Sequence, residues 1–271
     1  MAKSKIKVEW TKRLSKEPEG VIVGCSKTQE TLLPWWWMNF RLHNNLPVTF
    51  INFGDLSNPA INWCKRRGNV ITLNFKDCFV AKREDIDPSL ATQWEQTNSY
   101  VWIHRPAWFR KPFALLKSPY RNTLWIDLDC QVRGSLKDLF SDYLEEAEIA
   151  MAPEPEKEQQ LNRERGHTSP NEIMYNAGVI AFNHGCPLIL EWAKRALDQN
   201  HLFIGDQQLL VRILHDQNWK IEPLPLWYNW PVSHGFNPEA TILHWWGSYK
   251  AGLLVHIENL EKYFYINLSL F

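Results

Sequence analysis

The chain has 271 residues, 45% of them hydrophobic, and its Lys and Arg balance its Asp and Glu to a formal net charge of zero. That length suits one large domain with a core of its own. The balanced charge offers no footprint for a nucleic-acid partner.

In chain order, residues 1–19 read as a polar extension. Residues 20–24 (GVIVG) read as a short buried strand, followed by a loop at Cys25-Ser26-Lys27. Thr31 is placed to cap a helix, Pro34 is tolerated in its first turn, and Leu33, Trp36, Trp37 and Phe40 share one face. Residues 47–53 and 69–73 read as further strands. Alternating strand and helix patterns imply a mostly parallel sheet sandwiched by helices, an α/β single domain. Residues 75–100 carry no clear pattern. Residues 104–117 are helical in pattern, with Pro106 and Pro112 predicting two short helices or a kink. A strand over 124–126 leads into Asp127-Leu128-Asp129. A short helix over 135–144 and a strand over 148–152 follow. Residues 153–174 lack apolar periodicity and are expected to form a mobile flap. Then come a strand over 176–182, helices over 187–199 and from Asp206, short strands over 219–223 and 240–246, and an apolar tail, 251–271, expected to pack on the domain.

The five cysteines show no CxxC spacing and read as free thiols. With a charged N-terminus lacking an apolar signal core, and no run of about 18 apolar residues, a cytoplasmic location is expected. The fifteen tryptophans read first as core packing and, more sharply, as platforms for sugar rings.

The chain is organised around NTLWIDLDCQVRG, residues 122–134. Alternate residues of a strand project to one side, so Asp127 and Asp129 can aim two carboxylates into one volume. Such charges repel unless a cation sits between them, and hard oxygen ligands suit Mn2+ or Mg2+. The plainer reading is a strand running into an acidic turn. His244, at the end of another short apolar strand, is a candidate third ligand. Gly247 and Lys250 beyond it suit a phosphate, the glycine by close backbone approach and the lysine by its charge.

Four segments together resemble the GT-A class of nucleotide-sugar glycosyltransferases, and most of all glycosyltransferase family 8. They are TLWIDLDCQVRGSLKDLF (123–140), YNAGVIAFN (175–183), Asp206-Gln207 and HWWGSYK (244–250), in the family's order. KPFALL (111–116) is also similar to a basic helix of related mannosyltransferases. The resemblance covers about residues 20–250. It implies a GT-A, Rossmann-like fold and transfer of a hexose from a UDP-sugar, with retention, dependent on Mn2+ or Mg2+. By resemblance, Asp127, Asp129 and His244 hold the metal, with Asp127 also near the ribose. Lys250 and Gly247 hold the diphosphate, and Gly24-Cys25-Ser26 lie against the nucleobase. Lys111 or Arg105 reaches the donor's phosphate or sugar. Asn176, Asp206 and Gln207 surround the transferred sugar. Two departures stand out: Ala251 replaces the usual proline, and Gly24-Cys25-Ser26 lacks the usual acidic residue.

The acceptor, whether glycan, lipid-linked sugar or protein, is not legible, and the tail leaves peripheral membrane contact open. Two rivals remain at this stage. A non-enzymatic carbohydrate or nucleotide-sugar binding protein could share the fold. A dehalogenase-type phosphatase also begins with DxD, but Cys130-Gln131 follow here and no downstream Asp-Asp pair exists.

Overall fold

The computed structural model describes residues 7–74 and 78–264. Residues 1–6 of the expected extension and 265–271 of the expected tail lie outside them. The elements in order are β1 (Glu19–Cys25), α1 (Leu33–His43), β2 (Val48–Asn52), α2 (Asn58–Lys65), β3 (Asn69–Thr72), α3 (Pro88–Thr97), α4 (Val101–Leu115), β4 (Asn122–Ile126), β5 (Cys130–Val132), α5 (Asp138–Leu144), β6 (Ile149–Pro153), α6 (Glu156–Glu164), β7 (Tyr175–Asn183), α7 (Pro187–Gln199), α8 (Asp206–Gln217), β8 (Glu222–Pro223), β9 (Trp230–Pro231), β10 (Ile242–His244) and α9 (Lys250–Phe264).

Seven strands form one mixed sheet in the order β3-β2-β1-β4-β7-β6-β8. Strands β1 to β4 are parallel neighbours, and β7 runs antiparallel to both β4 and β6. Side chains alternate across the sheet. Val21, Val23, Leu124 and Ile126 pack with α1, α2 and α5 on one face. Ile22 and Trp125 pack with α4, α7 and α8 on the other. Helices therefore cover both faces of a single domain. A small second sheet, β5-β10-β9, stands beside it.

The topology decides where a site can form. Ligands of open α/β sheets bind at the carboxyl ends of parallel strands. Because β7 is antiparallel, its opening residues, not its closing ones, reach that edge. Ile126 pairs with Val179, and the Asp127 amide donates to the Gly178 carbonyl at 2.8 Å. The end of β6 returns to the same edge, with Pro153 opposite Tyr175.

Three expectations are corrected. Residues 153–174 are not a structureless flap: they contain α6, and Glu154, Gln159, Asn162 and Glu172 are buried. Ser169 N–H donates to Glu172, and Glu172 pairs with Arg212 of α8 at 2.9 Å, which ties the segment down. Residues Val101–Leu115 form one helix, α4, that runs through Pro106 and Pro112, not two short ones. Residues 8–18 are held to the body, where the Thr11 amide donates to the Leu116 carbonyl and Trp10 packs against Phe182 and His184. No helix among the described residues is long and apolar enough to cross a membrane.

Candidate active site

A cleft enclosing about 490 Å³ of space open to solvent lies at the carboxyl edge of β1 and β4. Its walls include Gly24, Thr28, Gln29, His104, Trp108, Lys111, Asp127, Asp129 and Lys250. Gly24 is required there: a Cβ would meet the rings of Trp125 and Phe53 at 2.4 and 2.5 Å.

The two aspartates after β4 have different surroundings. Asp127 accepts from Trp125 Nε1 at 2.7 Å and from Lys111 Nζ at 3.0 Å. Lys111 is itself buried and also donates to the Ala177 carbonyl at 2.9 Å. Burial opposes its charge, yet Asp127 and Asp206 outweigh burial and raise its pKa. Asp129 Oδ1 lies 3.4 Å from His244 Nε2, and Oδ2 lies 2.8 Å from Lys250 Nζ. Burial alone would raise the Asp129 pKa. Lys250 and His244 reverse that and hold the carboxyl well below the usual carboxylate range.

His244 is oriented by a directional chain anchored on the backbone. Gly178 N–H donates to Asn176 Oδ1 at 2.8 Å, so that oxygen is an acceptor. Asn229 Nδ2 must then donate to it, also at 2.8 Å. Asn229 Oδ1 is left to accept from His244 Nδ1 at 2.9 Å. A neutral ring thus turns its Nε2 lone pair toward Asp129 Oδ1. Two acceptors facing each other repel unless a proton or a metal cation lies between them. Gly178 makes room for this ring, since a Cβ there would sit 2.2 Å from His244 Cε1.

Asp129, Cys130 and His244 form a cluster close enough to hold a metal ion. Cys130 is the weakest member. Its thiol points to the Gly178 carbonyl at 3.8 Å, and burial, with Asp129 and Asp127 adding to it, pushes its pKa well up. The carboxylate and the imidazole are the fitting donors for a divalent cation. Asp127 is not in the cluster, and its oxygens accept from Lys111 and Trp125.

The other expected residues divide. Asn176 and Asp206 are buried and Gln207 is half-buried, and none of the three is among the residues that wall the cleft. Gln207 Oε1 accepts from Ala177 N–H at 3.2 Å, and its Nε2 donates to Glu154 Oε1 at 2.8 Å. Asn176 Nδ2 donates to the same oxygen at 2.8 Å. Burial pushes Asp206 up to about 6, with Lys111 opposing. Gly247 adopts φ +56° with open space around it and does not line the cleft.

Two assignments are corrected. Arg105 does not reach a donor. It is buried, and its guanidinium donates to the carbonyls of Phe203, Ile204 (2.9 Å) and Asn200 (3.0 Å), over the rings of Trp94 and Phe109. Cys25 belongs to the core, and Ser26 is buried with its hydroxyl on Thr28. Of that loop only Gly24 faces the cleft. Thr28 and Gln29 take its place, and neither carried a motif that marked it. Glu154 and Asn229 also escaped the sequence reading. The one available signal was their position, beside a predicted strand end and inside a Trp-rich stretch.

The fold is similar to the bifunctional glycosyltransferase WbbM in its apo form, with a TM-score of 0.59 and 12% identity over 88% of this chain and 47% of WbbM. This chain therefore spans about half of WbbM's length. It is also similar to the galactosyltransferase LgtC in complex with donor and acceptor sugar analogues, at TM-score 0.56 and 13% identity over 84% of this chain and 87% of LgtC. GlyE of Streptococcus pneumoniae TIGR4 has a TM-score of 0.54 and 18% identity over 86% of this chain and 55% of GlyE. No curated protein matches the chain. At these identities the likenesses establish the fold. The family rests on the sequence itself: the model of glycosyl transferase family 8 matches residues 108–251, more than half of the chain and the span from α4 through the DxD strand to Lys250. The chain belongs to glycosyl transferase family 8 and is a glycosyltransferase.

Proposed function

We propose that the protein transfers a hexose from a UDP-sugar to a hydroxyl acceptor, with retention, using a divalent cation held by Asp129 and His244. One observation carries the reading: Asp129 after β4, His244 from the second sheet and Lys250 at the start of α9 converge within 3.4 Å contacts.

Breaking the bond between an anomeric carbon and a diphosphate builds negative charge on the departing oxygen. A bound divalent cation supplies Lewis-acid stabilisation of that charge. Lys250 adds a mobile positive charge on the same side. Asp127, held by Lys111 and Trp125, presents a fixed carboxylate to the donor's ribose. The sugar becomes oxocarbenium-like, and the buried carboxyls of Asp206 and Glu154 lie on the side where Asn176 and Gln207 would meet it. Gln207 is an amide with both ends already held, which suits positioning and not nucleophilic attack. The departing phosphate then serves as base for the acceptor, which arrives on the same face. UDP is favoured by the family resemblance alone, and Gln29 and Thr28 are the groups placed to read the base.

Thermal unfolding against nucleoside diphosphates and their sugars, with and without Mn2+, tests this reading. A ligand at one hundred times its Kd should add ~2.7 kcal/mol, which moves the midpoint by about 5–10 °C for a domain of this size. UDP and a UDP-hexose should give that shift only with Mn2+. A shift confined to another nucleotide would replace the donor, and a shift indifferent to Mn2+ would remove the metal.

A further inference from the structure

The two lysines that face the DxD aspartates are not equivalent. Lys111 is buried and fixed, with Asp127 on one side and the Ala177 carbonyl on the other. Lys250 has a single ion-pair partner, Asp129 Oδ2, and its side chain is 35% exposed. It is the first residue of α9, where the helix dipole disfavours a cation and favours an anion. The body of α9 is anchored, with Leu253 fully buried and Trp245 stacked on His256. Just before it, the turn Gly247–Tyr249 starts from a glycine with positive φ and no close neighbours. The helix is held, while its first side chain is partly exposed beside an uncrowded turn.

Lys250 holds Oδ2 of Asp129 as the protein stands, while Oδ1 faces the Nε2 lone pair of a neutral His244 at 3.4 Å. A cation recruited by Asp129 and His244 must compete with the Lys250 ammonium for the same carboxylate. A diphosphate arriving at the α9 N-terminus offers Lys250 a second anion. We propose that Lys250 is a built-in surrogate cation: it neutralises Asp129 in the nucleotide-free protein, disfavours metal binding on its own, and releases Asp129 when a diphosphate draws it away. Metal and nucleoside diphosphate then bind with positive coupling, to which Lys250 adds beyond the direct link of cation to diphosphate. By linkage each ligand tightens the other by the same factor. The inference rests on the proposed metal-dependent use of a nucleoside diphosphate.

The experiment is a titration of Mn2+ into the whole protein, following the EPR signal of free Mn2+, with and without UDP. Wild type should bind Mn2+ weakly alone and at least about fivefold more tightly with UDP, the lower end of common coupling factors. Lys250→Met should bind Mn2+ alone at least about fivefold more tightly than wild type does, and UDP should then tighten Mn2+ binding by a smaller factor than in wild type. Lys250→Arg keeps a cation that can pair with Asp129, so its Mn2+ affinity without UDP should be no tighter than wild type. A Lys250→Met protein that folds but binds Mn2+ no more tightly than wild type overturns the inference. Tighter Mn2+ binding by Lys250→Arg overturns it too, and that arm suffices if the Met variant does not fold. Failure of wild type to bind Mn2+ even with UDP overturns the metal-dependent reading itself, a result distinct from the other two.

Discussion

Asp129→Asn is expected to lower UDP-sugar turnover by about a thousandfold or more, ~4 kcal/mol of transition-state stabilisation. The substitution keeps the size of the side chain and removes one negative charge. It leaves His244 Nε2 and Lys250 without a carboxylate between them, so the cation site and its link to the diphosphate are lost together. The loss should appear in kcat as well as in donor affinity, because the charge acts on the leaving oxygen as it forms. Release of UDP from the donor, measured beside the far-UV CD spectrum, separates this from unfolding. A folded Asp129→Asn protein that keeps wild-type turnover would remove Asp129 from the site.

Asp206 is expected to make the protein less stable as pH rises. Burial raises its carboxyl from the ordinary 3.8 to about 6, against the opposing Lys111. A carboxyl whose folded pKa lies above its unfolded one holds its proton longer in the folded state. The folded chain therefore binds more protons between about pH 4 and 6, and stability falls as pH rises through that window. Two pKa units correspond to about 3 kcal/mol at full ionisation. Oδ2 of Asp206 is buried without a hydrogen-bond partner, which is the structural form of that cost. Asp206→Asn should flatten the slope, gain on wild type above pH 6 and lose the gain below pH 4, while turnover falls. Denaturant midpoints from pH 4 to 8 check it. Identical slopes for the two proteins would place the strain elsewhere. Stability given up at a functional group is a common trade.

What was legible in the sequence was local. The strand before Asp127, the small-residue entry of β7, the helix opened by Asp206 and the strand ending at His244 all declare themselves by apolar runs with a break at a known place. The GT-A architecture followed from their order. The segment 153–174 failed for a definite reason. Among the residues that α6 turns inward are Gln159 and Asn162, so the apolar periodicity that reveals most helices is absent. Arg105 misled because a cation near a DxD strand invites a phosphate, and nothing in the sequence shows that three carbonyls of residues 200–204 need its donors. Asn229 and Glu154 act through contacts 15 or more residues away in sequence, which no spacing rule reaches. Asp127 and Asp129 look equivalent on the strand. They differ because Lys111 and Trp125 claim one, and His244 with Lys250 claim the other.

The central claim is that Asp129 and His244 hold a cation through which the nucleoside diphosphate binds. Calorimetric titration of UDP into the protein, once with Mn2+ and once with a chelator, tests it most directly. Saturable binding is expected with Mn2+, lost in chelator and in Asp129→Asn. Equal UDP affinity in chelator and in Mn2+ would contradict it.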